Sequence, residues 1–257
     1  MYVSSQPPLE TSIRITILSF FIALSFSVFS QLTIIPDSSF EKALIELGLD
    51  DERDGQVLSQ NIHKVRVLMV AWKKITDLTG IQDFDSLEIL HCDGNPITHL
   101  DLSRNLILKE LKLDAEGDFT YKIESLDLSK NIMLTNLDCG TSELKHLNLN
   151  KNIELEVLNC DFTAMTNLDL TKNVKLRFIS CCYNNFKNID FSHNIKLEEV
   201  YMQGNKLKQL DLSNNPNLII LFVSNNKLSK ILLHPSVKLK KIATGDNKKD
   251  FEELVSQ

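Results

Sequence analysis

Apolar residues recur in a fixed pattern along most of this chain, and the pattern repeats every 21 residues from about Asp85 to the C-terminus. Each unit follows Leu-x-x-Leu-x-Cys-x-x-Asn-x-Leu-x-x-Leu-Asp-Leu-Ser-x-Asn, most clearly at Leu87–Asn105 and Leu197–Asn215. A fixed period of this length predicts a solenoid, in which every coil buries its apolar side chains against the neighbouring coils. Solenoids mostly bind other molecules rather than transform them.

Each unit contains two short segments in which a polar residue separates apolar ones, Leu-x-Cys and Leu-Asp-Leu. This alternation predicts two short strands per coil, each with its middle residue facing solvent. An Asn follows each segment, and a buried Asn amide can satisfy the backbone groups of a tight turn. We therefore predict two structural ladders. One contains Asn105, Asn131, Asn152, Asn173, Asn194 and Asn215, and the other contains Asn95, Asn184, Asn205 and Asn226, with Ser142 and Thr163 as substitutes.

Residues 1–30 have the features of an export signal. Arg14 precedes an apolar run at Ile15–Phe29, and small residues allow cleavage before Gln31. An uncleaved anchor is the alternative, although this run is shorter than the roughly 20 apolar residues that a membrane span needs. We expect no membrane span once the signal has been removed.

The segment after the signal predicts a helix that covers the open end of the first coil. Ser38 and Glu41 have the spacing of a capping box, and Gly48 is placed to end the helix. The predicted organisation is a signal peptide at 1–30, an N-terminal helical cap at 31–62, leucine-rich repeats at 63–247 and a C-terminal cap, expected to contain a short helix, at 248–257.

Three of the five cysteines are spaced at the repeat period. Cys139, Cys160 and Cys181 are 21 residues apart, and Cys92 holds the same place further upstream. Leu, Met and Val take this place in other coils, so we interpret these cysteines as small buried hydrophobes. A disulfide between neighbours stays open on distance alone. Cys182 follows an inward position, so we expect it to face solvent, where it would be a free thiol.

These features resemble those of secreted bacterial leucine-rich repeat proteins of the kind common in Bacteroidetes. The matching features are the segment Ile35–Leu44, the linker Leu78–Phe84 and the nested Leu-x-x-Leu-Asp-Leu-Ser repeat. The resemblance implies a β-rich leucine-rich repeat solenoid of short parallel strands stacked in coils. It also implies an extracellular, periplasmic or cell-surface protein that takes part in protein recognition and adhesion.

Composition argues against two other functions. The formal net charge is −6 and no block of basic residues is present, so nucleic acid is not an expected partner. The six His are scattered without metal or nucleophile spacing, and no glycine-rich phosphate loop occurs. We therefore expect no catalytic residues and no enzyme activity.

One acidic segment imitates the start of a calcium-binding loop. Asp50, Glu52 and Asp54 stand at alternate positions and Gly55 follows, but Asn61 replaces the Glu that would complete such a loop. The alternative is a solvated acidic turn in the N-terminal cap. Calcium at these three residues is the one cofactor that the sequence suggests.

The outward positions of the two predicted strand columns differ in regularity. The Leu-Asp-Leu column carries an acidic residue in most coils with Lys or Arg three residues later, which we interpret as a solvated structural face. The Leu-x-Cys column varies instead, through His91, Lys112, Asp138, Asn159, Ser180, Tyr201 and Phe222. Variable residues at exposed positions of a regular repeat allow binding specificity to change without disturbing the fold.

Aromatic residues concentrate on the face of this variable column in the C-terminal coils. Tyr183, Tyr201 and Phe222, with Cys182 beside them, are therefore candidate residues for binding a protein partner. The alternatives are that these rings cover their neighbours or contact a second copy of the chain.

A longer coil supplies a second candidate surface. The coil Leu108–Asn131 exceeds the others by five residues, which predicts a loop at 114–121 with Phe119 and Tyr121 at its tip. The sequence as a whole favours an exported protein that recognises or adheres to another protein through an exposed strand face. The alternative function is a self-associating structural surface or matrix protein without a dedicated ligand.

Overall fold

The computed structural model describes residues 31–114 and 123–247 and the backbone of one further strand at 252–255. The predicted signal, most of the predicted loop at 114–121 and part of the C-terminal cap lie outside the described residues. The elements in chain order are β1 Leu32–Ile34, α1 Ser38–Glu46, β2 Gln56–Leu58, α2 Ser59–Ile62, β3 Val67–Met69, a 3-10 turn Ile81–Asp83, β4 Ile89–His91, β5 Glu110–Lys112, β6 Asn136–Asp138, β7 Val157–Asn159, β8 Phe178–Ser180, β9 Glu199–Tyr201, β10 Gln209–Leu212, β11 Ile220–Phe222, β12 Lys230–Leu233, β13 Lys241–Ala243 and β14 Glu252–Val255.

The described strands form a parallel solenoid, as the sequence predicts. Nine of them, β3 to β9 with β11 and β13 and without β10, lie side by side in one parallel sheet in chain order. Residues paired across most of this sheet are 21 apart, as with Leu137 and Leu158. Leu111 pairs with Leu137, 26 residues away, so the extra five residues lie between β5 and β6 as predicted.

The core is one continuous column of inward side chains that runs from Ile35 to Leu233. The middle residue of β3 to β9 and of β11 points into it; Leu90 and Leu158, for example, are fully buried, whereas Ile242 of the last strand, β13, is 41% exposed. Burying such a side chain contributes roughly 1.5–3 kcal/mol. Because each coil buries its apolar residues against its neighbours, the outward positions can vary with little effect on folding.

The prediction of two strands in every coil is wrong for most coils. Among the described residues, the Leu-Asp-Leu segments form a strand ladder only at β10, β12 and β14. In the preceding coils the segments are joined instead by Asn amides; Asn131 Nδ2 donates to Leu102 O at 3.0 Å. One repeat after Asn215 the corresponding residue is Ser236, so the Asn ladder does not continue into that coil. Backbone pairing between β10 and β12 connects the coils at this point instead.

The C-terminal cap also differs from the sequence-based expectation. Residues Glu252–Val255 form the strand β14 rather than a short helix, and they pair in parallel with β12. The free edge of β12 offers backbone partners to an extended segment, which a helix could not use.

The N-terminal cap has the predicted helix but not the predicted capping box. Asp37, not Ser38, caps α1 because its Oδ1 accepts hydrogen bonds from the amides of Ser39 and Phe40 at 2.8 and 2.9 Å. Glu41 is turned away from the helix start and accepts from the amide of Asp54 at 2.7 Å. Gly48, with φ of +70°, ends the helix as predicted. Among the described residues, no helix is long and apolar enough to cross a membrane.

Candidate functional site

The variable column lies on one face of the main sheet, as predicted. Parallel pairing places Ser180, Tyr201 and Phe222 in one row across β8, β9 and β11. Tyr201 and Phe222 are half-buried rather than fully exposed, and Ser180 is buried. The row therefore offers ring faces and edges at a surface that is already partly packed.

A cluster of three rings forms on this strand face. The ring centroids of Tyr201 and Phe222 are 5.2 Å apart at 79°, and those of Tyr201 and Phe178 are 5.4 Å apart at 38°. The Tyr201 hydroxyl donates to Glu199 Oε2 at 2.9 Å, and partial burial together with this carboxylate raises the pKa of Tyr201. Phe178 was not predicted as a site residue, because it occupies the first place of its strand rather than the third. Phe178, Tyr201 and Phe222 are called the strand cluster below.

A second pair of rings lies in the turns that follow the strands. Phe162 and Tyr183 stack at 4.6 Å with an interplanar angle of 8°, and 53% and 52% of their surfaces are exposed. The sequence analysis also missed Phe162, although it stands one repeat period before Tyr183 at the same place of the coil. These two residues are called the turn stack below.

The turn stack belongs to a column of residues with left-handed backbone. In eight coils the described residue at this place has a φ between +50° and +69°: Trp72, Gly94, Thr141, Phe162, Tyr183, Gly204, Asn225 and Asp246. In two of these coils Lys74 and Ala164 are left-handed as well. Gly, Asn and Asp adopt this conformation readily, whereas for a bulky side chain it costs roughly 1–3 kcal/mol. Backbone strain of this kind concentrates at functional sites.

The glycines of this column make room for the aromatic rings. A Cβ added to Gly204 would lie 2.6 Å from the Tyr183 ring, and one added to Gly94 would lie 2.2 Å from the Trp72 ring. The rings of Trp72 and Tyr183 therefore each lie flat on the glycine of the next coil. This contact fixes the orientation of Tyr183 while about half of its surface stays accessible.

Cys182 is buried, so the prediction that it faces solvent is wrong. Only 7% of the residue is exposed, and its Sγ lies 3.0 Å from Gln203 Oε1. Asp161 Oδ1, one repeat earlier, accepts the Cys182 amide. Burial raises the pKa of the Cys182 thiol to about 11. The thiol is therefore protonated at neutral pH and is a weak nucleophile.

Three carboxylates lie near one another at the edge of the strand face. Burial, followed by the charge of Asp114, raises the pKa of Asp138 to about 6. Burial also raises the pKa of Asp161, which accepts a hydrogen bond from Ser180 Oγ at 2.7 Å. Asp114 accepts from Thr141 Oγ1 at 2.5 Å. These hydrogen bonds join neighbouring coils, so we interpret the three carboxylates as structural.

The inward cysteines are buried, as predicted. Cys92, Cys139, Cys160 and Cys181 are all fully buried free thiols. Burial raises the pKa of Cys92 and Cys139 well above the ordinary thiol value, which is consistent with their role as small apolar side chains in the core.

The acidic residues of the Leu-Asp-Leu column, Asp101, Asp127, Asp169, Asp190 and Asp211, are called the acidic belt below. The belt has the predicted structural role, but the sequence pattern did not reveal how its carboxylates fulfil that role. Asp127 Oδ1 accepts the amide of Ser129 at 2.9 Å, and Asp169 Oδ1 accepts that of Thr171 at 3.0 Å. These are Asx turns, in which the carboxylate closes the turn that follows it. The backbone hydrogen bonds lower the pKa of both carboxyl groups.

The calcium candidates take part in local hydrogen bonds. Asp54 accepts the amide of Gln56 at 3.1 Å and its side-chain amide at 3.3 Å. Asp50 accepts the amide of Asp51 at 3.0 Å, and partial burial raises its pKa. Within the described residues no group of three or more His, Cys, Asp or Glu is arranged to hold a metal ion. Calcium binding by Asp50, Glu52 and Asp54 stays a prediction, and the other predicted binding residues, Phe119 and Tyr121, lie outside the described residues.

Three solved structures resemble this one. The functional domain of InlJ from Listeria monocytogenes, which includes a cysteine ladder, is 25% identical with a TM-score of 0.61, and the match covers 82% of this chain and 54% of that one. Internalin C2 from the same organism is 22% identical with a TM-score of 0.69, covering 78% and 91% of the two chains. A leucine-rich repeat protein from Leptospira interrogans is 18% identical with a TM-score of 0.66, covering 74% and 51%.

These likenesses and the strand register establish a leucine-rich repeat solenoid. This chain spans about half the length of the InlJ and Leptospira proteins. No protein-family model and no curated protein matches the chain.

Proposed function

We propose that this leucine-rich repeat solenoid is an exported protein that recognises another protein through the strand cluster and the turn stack. The observation that carries the proposal is the turn stack, in which two aromatic rings are held about half exposed on left-handed backbone. A fold that needed only to close this turn would be better served by Gly or Asn, as in other coils of the same column.

The rings have the properties of interface anchors. Aromatic side chains supply a large contact area with few rotatable bonds and dominate the energetics of protein interfaces. Here the Tyr183 ring is stacked on Phe162 on one face and lies over Gly204 on the other. Because these contacts already fix the ring, little conformational entropy remains to be lost when a partner binds.

Export is supported by the apolar run at Ile15–Phe29 in the sequence. Expression with its own leader should yield a processed chain outside the cytoplasm whose first residue is Gln31. Recovery of a cytoplasmic chain that retains the leader would contradict this part of the proposal.

A capture experiment tests the recognition surface. The chain Gln31–Gln257 is immobilised as bait for extracellular and surface proteins, beside a Tyr201→Ala/Phe222→Ala variant. We expect a specific partner on the parent bait that is lost on the variant, with the melting temperature lowered only slightly because both rings are half-buried. Trp72→Ala is the matched control, since it removes a half-exposed ring of the left-handed column near the opposite end of the solenoid.

The same variants separate this function from self-association. Light scattering of the parent chain alone should give the monomer mass if the rings bind a different protein. A stable oligomer that the Tyr201→Ala/Phe222→Ala variant dissociates would favour the structural or matrix function instead. Retention of the partner both by that variant and by a Phe162→Ala/Tyr183→Ala variant would refute the proposed surface.

A further inference from the structure

A row of exposed aliphatic side chains runs along the solenoid outside the strand face. The residue after each Asn of the longer ladder is apolar in five coils: Leu106, Ile132, Ile153, Val174 and Ile195, with exposed fractions between 47% and 54%. These five residues are called the aliphatic ridge. Nothing in the core or in the proposed recognition surface uses them.

The Asn ladder aligns the ridge. Asn152 Nδ2 donates to Asn131 O at 2.9 Å, and Asn173 Nδ2 donates to Asn152 O at 2.8 Å. The residues that follow these Asn therefore stand in line, about 4.8 Å apart. Between Ile132 and Ile153 the surface is hollowed into a groove of about 670 Å³, which Met133 also lines. The ridge is thus one continuous apolar strip.

A row of cations borders this strip. Arg104, Lys130, Lys151 and Lys172, all exposed, stand two residues before successive ridge residues. Arg104 pairs with Asp83 at 2.8 Å. Within the described part of the chain, the other three form no ion pair within 4.0 Å. The acidic belt lies on the far side of this row, with its carboxylates turned to their own Asx turns.

The opposite border adds further positive charge. Lys196 is exposed beside Ile195, and Lys175, beside Val174, pairs with Glu154. The two rows that border the ridge thus hold six Lys or Arg residues and one carboxylate, Glu154, in a chain whose formal charge is −6. The acidic belt behind the cation row interacts with it, since the charges of Lys130 and Lys172 help to lower the pKa of Asp127 and Asp169. An occupant of the ridge should therefore be both apolar and anionic.

This charge argues against a second copy of the chain. Two ridges placed in antiparallel contact would bring the row of Lys130, Lys151 and Lys172 against the same row of the other copy. In parallel contact Lys172 would face Lys175, while Lys151 would face Glu154, which already pairs with Lys175. Charge therefore opposes the antiparallel arrangement and gives the parallel one no net gain.

The side-chain types favour a lipid surface over a protein. Protein interfaces draw their binding energy mainly from Trp, Tyr and Arg, and the ridge contains only Leu, Ile and Val. A line of aliphatic residues beside lysines is the pattern of proteins that lie in the interface of an anionic membrane. The ridge side chains repeat about every 4.8 Å along the solenoid. A fluid bilayer can contact all of them without having a regular spacing of its own.

We propose that the aliphatic ridge and its cation row bind the surface of an anionic lipid bilayer. The aliphatic side chains enter the boundary between headgroups and acyl chains, and the lysines contact the anionic headgroups. The solenoid then lies along the membrane on its ridge, while the strand cluster and the turn stack project from other rows of the coils.

Vesicle flotation tests this proposal. The chain Gln31–Gln257 is used because every residue of the core lies within it, and the apolar run of the leader would otherwise anchor the protein. We expect it to float with phosphatidylglycerol vesicles but not with phosphatidylcholine vesicles, and to be released as salt is raised, because exposed charges are screened.

Two variants separate the two parts of the site. Ile153→Ser/Ile195→Ser should abolish flotation while melting changes little, because both side chains are half-exposed. Lys151→Gln/Lys172→Gln should weaken binding about thirtyfold, since each lysine near an anionic surface contributes roughly fivefold. The matched controls are Ile34→Ser and Lys187→Gln/Lys208→Gln, which alter an exposed Ile and two exposed Lys elsewhere on the surface. Both should float like the parent.

Three results would overturn the proposal. Equal flotation with both lipids would show that the cation row plays no part. Loss of binding in the control variants would show that the ridge is not the site. A parent chain that stays unbound to either vesicle, or that forms a dimer dependent on Ile153 and Ile195, would assign the ridge to another occupant. Capture of the protein partner by the ridge variants is expected to be unchanged, so failure here leaves the proposed recognition surface a separate question.

Discussion

At the scale of single residues, the left-handed column decides where the aromatic rings stand. Trp72 and Tyr183 adopt a backbone conformation that costs energy for bulky residues, and each places its ring on the glycine of the next coil. The seat for each ring is therefore made by Gly94 or Gly204, in a different repeat. The sequence of a single repeat therefore cannot show that the position of its aromatic ring depends on a glycine in the next repeat.

Gly94→Ala should destabilise the protein by more than its backbone conformation explains. Any L-residue at φ of +69° costs roughly 1–2 kcal/mol, and the new Cβ would also overlap the Trp72 ring, which adds roughly 1–3 kcal/mol. Gly48→Ala is the matched control, because Gly48 has a φ of +70° and nothing lies within 4 Å of its added Cβ. Urea unfolding of both variants measures the difference, and equal losses would show that the Trp72 ring does not rest on Gly94.

Asp138 should make the stability of the protein depend on pH. Its pKa is raised from 3.8 in the unfolded chain to about 6 in the folded protein, so the unfolded chain ionises first as pH rises. The folded state is then penalised between pH 3.8 and about 6, and the full penalty persists above that range. Asp138→Asn should stabilise the protein at pH 7 by about 1–3 kcal/mol and should have little effect below pH 4.

Unfolding curves of the parent and Asp138→Asn at several pH values test this expectation. A variant that is less stable than the parent at pH 7 would mean that the Asp138 carboxylate is favoured, not disfavoured, by its surroundings.

At the scale of elements, the 21-residue period was enough to predict the coils, their parallel register, the longer coil and both Asn ladders. It failed where a side chain outside these ladders acts on another coil or segment. Asp37 caps α1 and also accepts hydrogen bonds from Thr76 at 2.6 and 2.8 Å, and this second contact joins parts of the chain that no local motif relates. Asp161 likewise accepts the amide of Cys182, one full repeat away.

The longer Asn ladder should contribute strongly to stability. Asn173 Nδ2 donates to Leu149 O at 3.1 Å and to Asn152 O at 2.8 Å. Asn173→Ala would leave both buried carbonyls without this donor, at a cost of roughly 2–4 kcal/mol. Asn167→Ala, at an exposed position of the same coil, should change stability by no more than about 0.5 kcal/mol. Similar small effects of both changes on the unfolding midpoint would contradict a structural ladder.

At the scale of the whole molecule, each row of the solenoid has a separate task. Inward rows build the core, the acidic row closes turns, and the variable row and left-handed column hold the rings of the candidate recognition surface. The sequence predicted the chemistry of the variable row because Tyr201 and Phe222 recur at the repeat period. It did not predict Phe162 and Phe178 as members of the site, because their contribution depends on ring contacts between coils.

The central claim is that preorganised aromatic rings of the C-terminal coils bind a protein partner, and oxidative footprinting of the isolated complex tests it most directly. Free protein should be oxidised at Phe162 and Tyr183, which are about half exposed, and also at Trp72. In the complex we predict protection of Phe162, Tyr183, Tyr201 and Phe222, while Trp72 reacts as before and serves as the internal control. Unchanged oxidation of these four rings in a saturated complex would contradict the account.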